Sequence, residues 1–152
     1  MPRYVTQITT GMGREQVFSD LSRFDRAAEW DPGVSEGAMV TPEPVGCGSR
    51  FVLQAGFLGR TLPLEYEVVE FEPGARVVLR AETPFVRSVD TITFADASAR
   101  SKSGATVVKY DARLEPKGLV RLAAPLLAVV FRRIGDRAAV GLRERLRSDG
   151  VR

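Results

Sequence analysis

The sequence predicts an α+β fold, in which a seven-stranded antiparallel sheet wraps around one long C-terminal helix and two short helices lie between strands one and two. Three observations carry this expectation. The stretch from Lys117 to the C-terminus is the only segment long and periodic enough to make a major helix. Most of the chain before it alternates apolar and polar residues with the period of strands. The segments joining those strands are short and rich in Gly, Pro and Asp, which makes neighbours antiparallel.

Arg3–Thr10 is rich in β-branched residues and reads as the first strand, ended by Gly11 and Gly13. Over Arg14–Phe24 the apolar residues Val17, Phe18, Leu21 and Phe24 recur at helical spacing. Asp25–Trp30 extends them as a second short helix, stopped by Asp31-Pro32-Gly33. Strands follow at Val34–Thr41, Ser49–Leu58, Arg60–Phe71, Arg76–Thr83, Arg87–Ala95 and Thr106–Leu114. The turns between them include Leu58-Gly59, Glu72-Pro73-Gly74 and a polar turn over Ala97–Gly104. Leu62, Leu64, Tyr66 and Val68 share one face of their strand, with Glu65 and Glu67 on the other. Val77, Leu79 and Ala81 face the core, while Arg80 is placed to meet Glu65 or Glu67 across strands. Ile92 and Phe94, then Val108, Tyr110, Ala112 and Leu114, complete a dry face that needs a cover. The last helix is the one large element available for that.

Within that helix a proline costs roughly 3 kcal/mol in the interior but almost nothing at the first position. A short helical turn at Leu119–Ala124 therefore precedes a main helix starting near Pro125, and Gly150 is the expected stop. Leu127, Phe131, Ile134, Ala138, Leu142 and Leu146 fall on one stripe, opposite Arg132, Arg133, Asp136, Arg137, Arg143, Glu144 and Arg147. Leu126, Val129 and Val130 lie on the side that is charged further along, so the helix starts apolar nearly all round. Cover by loops, a cavity mouth and a homodimer contact all fit that pattern.

The 152 residues make one domain, 1–152, large enough for a real core. An apolar fraction of 44% with 27% charged residues is that of a soluble globular protein, and no apolar run is long enough to span a bilayer. The N-terminus lacks the apolar core of a signal peptide, so the expected compartment is cytoplasmic. With one cysteine, Cys47, an internal disulfide and a multi-cysteine metal site are excluded. There is no histidine, which removes the usual general base near neutral pH, the Ser-His-Asp and Cys-His systems, and the commonest zinc ligand. Catalysis would have to use carboxylates, Tyr, Lys, Arg or water, and no metal or cofactor is expected. The net charge of +3 is concentrated in the last helix, where basic residues alternate with acids. That is a solvated face rather than a nucleic-acid site, since no basic stripe is interleaved with aromatics.

A few residues are candidates for a site. Tyr66 and Tyr110 face inward, and a buried tyrosine needs a partner for its hydroxyl: a ligand carbonyl, the other tyrosine or the backbone. Trp30 either stacks on a ligand or caps the core. Asp90 shares a face with Ile92 and Phe94, where a carboxylate is costly unless paired, although a one-residue slip would turn it to solvent. Arg87 is its natural counter-ion, or a surface residue. Cys47 lies between two glycines and has Arg50 as its nearest cation in sequence. Gly46-x-Gly48 opens a strand rather than a helix, so it supplies unusual backbone angles rather than a phosphate loop.

Several pieces recur in one order: Val17-Phe18 with Trp30, Val45-Gly46-Cys47-Gly48-Ser49-Arg50-Phe51 opening a strand, and Tyr66-Glu67-Val68-Val69-Glu70-Phe71-Glu72-Pro73 as a central strand and turn. Gly104-Ala105-Thr106 opens the last strand, and Leu142 with Leu146 closes the helix. Through them, nearly the whole chain resembles the helix-grip superfamily. That group includes START lipid-transfer domains, the birch pollen allergen family and the bacterial polyketide cyclase/dehydrase-like (SRPBCC) proteins, of which the last is most similar. The resemblance implies a helix-grip fold with a mostly apolar cavity, between sheet and last helix, for a hydrophobic or amphipathic small molecule. Trp30, Leu64, Tyr66, Leu79, Asp90, Ile92, Tyr110, Phe131 and Ile134 are the residues expected to line it. Three functions stay open: binding of a lipid-like or polyketide-like ligand, a cyclase or dehydratase, and a protein-interaction module. The enzyme would use Tyr66, Tyr110 and Asp90 with Arg87, as aromatic cyclases of the superfamily are thought to shape a poly-β-ketone with hydroxyls and Arg rather than His. The interaction module would engage its partner through Leu126, Val129 and Val130.

Overall fold

The structure, a computed structural model, describes residues 2–57, 59–97 and 104–150, with side chains up to Arg147. The alternating segments form β1 (Arg3–Thr10), β2 (Val34–Met39), β3 (Arg50–Phe57), β4 (Arg60–Glu72), β5 (Arg76–Glu82), β6 (Val86–Asp96) and β7 (Thr106–Pro116). They pair antiparallel in one sheet, in the order β1-β7-β6-β5-β4-β3-β2. Helix α1 (Arg14–Ser22) and a 3-10 helix (Phe24–Glu29) separate β1 from β2. A second 3-10 helix (Gly118–Ala123) leads into α2 (Ala124–Gly150). The fold is the expected α+β arrangement of a seven-stranded antiparallel sheet and one long C-terminal helix.

Period two decides which side chains are dry. In β6 the buried positions are Ser88, Asp90, Ile92 and Phe94, with less buried residues between them. The register of β4 against β5 shifts between Val68 and Glu70, a device that bends a strand and increases its twist. Large side chains fill the α1 end of the concave face. There the Phe18 ring meets Phe71 and Phe94 edge-on, with centroids 5.3 and 5.1 Å apart. Leu142 and Leu146 of α2 close this core, and both are almost fully buried.

Helix α2 is held down from its middle onward. The Tyr4 hydroxyl donates to Asp136 (2.8 Å), and Thr10 Oγ1 donates to the Leu146 carbonyl (3.2 Å). Arg145 donates from Nε and Nη2 to the two carboxylate oxygens of Asp20, both at 2.8 Å, and reaches Glu29 at 3.3 Å. Burial alone would raise the Asp20 carboxyl, but Arg145 and Arg26 outweigh it and hold the group below the usual carboxylate range. Two glycines set how closely the helix lies. A Cβ at Gly135 would collide with the Tyr4 ring, and one at Gly141 with the Trp30 carbonyl.

The second short helix is of the 3-10 type, and α2 begins at Ala124, next to the expected Pro125. Other local details differ. Strand β2 ends at Met39, because the Thr41 hydroxyl accepts the Arg50 N–H (3.0 Å) in place of a backbone pair. Arg80 lies opposite Glu67, yet its carboxylate neighbour is Glu82 at 3.9 Å, and Glu65 faces Arg50 at 3.9 Å. Of the two glycines before β3, Gly48 has the left-handed angle, φ 91°. Leu58 and residues 98–103, which carry most of the expected Leu58-Gly59 and Ala97–Gly104 turns, lie outside the described residues. The expected stop at Gly150 is the last described position of α2.

Replacing Gly141 in mid-helix tests the close approach to Trp30. Helix propensity alone would favour Ala there by about 1 kcal/mol. Overpacking against the Trp30 backbone should reverse that sign, so Gly141→Ala is expected to cost about 1–3 kcal/mol in a urea titration. An unchanged or raised midpoint would show that the helix does not rest on that carbonyl.

Candidate ligand cavity

Large residues crowd the α1 end of the concave face, whereas small ones occupy the other end. Ala27, Ala81, Ala112, Gly135, Ala138 and Ala139 all face the space beneath the first half of α2. They leave a cavity of about 620 Å³ between the sheet, the first 3-10 helix and α2. This lies within the roughly 300–1,000 Å³ of small-molecule sites. Leu53, Leu64, Leu114, Leu127, Phe131 and Ile134 make its walls apolar. Its outer edge is formed by the β3–β4 hairpin at Phe57 and Leu62, the Thr83–Val86 turn and Val120. Phe85, on that turn, is 64% exposed.

The inner end is polar. Tyr66 Oη donates to Ser88 Oγ (3.3 Å), and Ser88 Oγ donates to Asp90 Oδ1 (3.2 Å). The Tyr110 hydroxyl donates to Asp90 Oδ2. Trp30 packs edge-on against Tyr110 (6.1 Å between centroids), and Phe24 against Tyr66 (4.9 Å). Burial pushes Asp90 up to about 6, only partly offset by the Tyr110 and Ser88 hydroxyls. Burial also pushes both phenols well above their ordinary value, and the Asp90 charge adds to this. Asp31 lines the same cavity and accepts the Gly33 N–H at Oδ1 (2.8 Å). Its carboxyl is raised by burial, and its charge presses in the same direction on Asp90 and both tyrosines.

Of the residues expected to line a cavity, Trp30, Leu64, Tyr66, Asp90, Tyr110, Phe131 and Ile134 do so. Leu79 and Ile92 do not. They share the inward face but are completely buried in the packed core. Arg87 is not the counter-ion of Asp90. It projects from the opposite face, 2.8 Å from Glu82 and 3.7 Å from Glu115, its neighbours across the two adjacent strands. Cys47 is exposed, with Sγ 3.6 Å from the Val69 carbonyl, and is not part of the cavity. Leu126 and Val129 are 62% and 58% exposed, so among the described residues no loop covers these two side chains. Among the described residues no helix is long and apolar enough to cross a membrane.

Sequence reasoning missed Ser88 and Asp31. Ser88 was legible, being two residues before an inward Asp90. Asp31 lies in a turn, where alternation says nothing of direction.

A family model described as polyketide cyclase/dehydrase and lipid transport matches residues 1–147. The chain belongs to that family. Among solved structures it is similar to a START superfamily protein from Mycobacterium smegmatis, at 14% identity and TM-score 0.75, covering 95% of this chain and 96% of the other. The Zhui aromatase/cyclase from Streptomyces sp. R1128 aligns at 12% identity and TM-score 0.75 over 99% and 93% of the two chains. A protein from Thermus thermophilus does so at 18% identity and TM-score 0.74 over 95% and 97%. At such identities the likeness establishes the fold. No curated protein matches by sequence.

Asp90 has a pH signature. Its folded value of about 6 lies above the ordinary 3.8, so between these values the folded state binds more protons than the unfolded one. Stability from this group is therefore greatest in acid, falls as pH rises, and reaches its floor above the folded value. Between about pH 4 and about pH 7 the wild type should lose stability relative to Asp90→Asn, in which groups not coupled to Asp90 cancel in the difference. A flat difference in chemical denaturation would show that Asp90 titrates as in solvent.

Proposed function

We propose that this protein binds a hydrophobic or amphipathic small molecule, lipid-like or polyketide-like, in the cavity between the sheet and α2. The observation that carries this reading is a space of about 620 Å³ walled by small and aliphatic side chains, with its polar groups gathered at the buried end. A protein with no use for the space would fill it, because each missing apolar contact costs stability. Filling it with a ligand returns roughly 25 cal/mol per Å² of apolar surface, less the cost of immobilising the molecule. The family description, which pairs polyketide chemistry with lipid transport, supports the same ligand classes.

Native mass spectrometry and organic extraction of the purified protein test the reading, with a co-purified apolar compound expected. Ala112→Trp, which projects a large ring into the cavity from β7, should abolish binding while circular dichroism stays unchanged. No co-purified ligand and no binding across a lipid and aromatic panel would reject the reading.

A second reading, turnover as a cyclase or dehydratase, is favoured by one specific feature. Asp90, raised to about 6, accepts the Tyr110 hydroxyl at the cavity's inner end, which suits a buried general base. Under this reading, Asp90→Asn or Tyr110→Phe lowers the turnover of a poly-ketone substrate by about 10²–10⁴-fold and spares binding. Unchanged turnover would remove both residues from any catalytic role.

A further inference from the structure

We infer that the cavity selects an apolar molecule whose polar end is a hydrogen-bond donor, a hydroxyl or a protonated amine, and rejects carboxylates. The inference rests on the binding reading above and specifies its ligand.

Hydroxyl protons carry the argument, since each hydroxyl has one to give. Tyr66 gives its proton to Ser88, Ser88 gives its own to Asp90, and Tyr110 gives its own to the other oxygen of Asp90. All three protons run inward to one carboxylate, so the chain turns lone pairs toward the cavity. Elsewhere on the wall, Tyr4 donates to Asp136 (2.8 Å) and Thr83 to the Val86 carbonyl (3.2 Å). Asp31 has one oxygen engaged by the Gly33 N–H, and the other adds a further acceptor. Among the described residues, the side-chain donors left on the wall are the Thr6 hydroxyl and the Trp30 indole N–H, both neutral. Arg143 reaches Thr6 at 3.4 Å but does not itself line the cavity.

The charges agree with the protons. Among the described residues, two carboxylates, Asp31 and Asp90, and no Lys or Arg line the cavity. A fatty acid entering head first would bring a third carboxylate into an apolar enclosure without a cation, losing its hydration and meeting like charge. An alcohol supplies the proton that the tyrosine and aspartate lone pairs lack, and an ammonium adds a charge-assisted bond.

The purified full chain can be loaded with N-phenyl-1-naphthylamine, a neutral fluorescent probe, and challenged above neutral pH with decanol, decylamine and decanoate. Chain length is then constant and only the head differs. Decanol and decylamine should displace the probe at concentrations about tenfold lower than decanoate, or lower still. In an Asp31→Asn/Asp90→Asn double variant the gap should close, with decylamine losing most and decanol least. Equal displacement by all three, or decanoate strongest, overturns the inference but leaves cavity binding in place. No binding of the probe or of any of the three, checked by calorimetry, overturns both. If the double variant does not fold, the wild-type ranking decides alone.

Discussion

One helix must cover a sheet that is dry on one face, and it cannot lie close everywhere. Contact is set where α2 carries no side chain to hold it off, at Gly135 against Tyr4 and at Gly141 against the Trp30 backbone. The Arg145–Asp20 ion pair fixes the C-terminal end of the helix to α1. With that end anchored, the first half of α2 passes over strand positions filled by alanine rather than by phenylalanine or leucine. The cavity is thus the remainder of a packing problem solved at one end only, and its location follows from where the glycines and the large residues fall.

The polar chain at the inner end runs against the economy of a core. Four groups that could have been aliphatic are instead Tyr66, Ser88, Asp90 and Tyr110, and all are tied to one another. A carboxylate in such a place is tolerated because two hydroxyls solvate it, not because a cation neutralises it. The arrangement fixes the direction of each proton, which makes the inner end of the cavity a specific surface rather than a greasy hole.

Much of this was legible in the sequence. Alternation alone turned Tyr66, Asp90 and Tyr110 inward, and helical periodicity gave the buried stripe of α2. What alternation does not encode is depth. Leu79 and Ile92 obey the same rule as Ala81 and Asp90, yet they lie in the packed core rather than on the cavity wall. Nor does it encode which strands are neighbours. Arg87 meets Glu82 and Glu115 because β5 and β7 flank β6, and that order appears only once the sheet is assembled. Asp31 escaped for a third reason, because a turn residue has no period from which to read its direction. Arg145 lies beside the helix stripe rather than on it, and only the position of α1 reveals its partner.

Trp30 is the chain's one tryptophan, and it lies on the cavity wall with its ring against Tyr110 and its carbonyl beneath Gly141. Indole emission responds to the polarity around it. Tryptophan emission of this protein therefore originates on the cavity wall, so occupancy can be followed without a label.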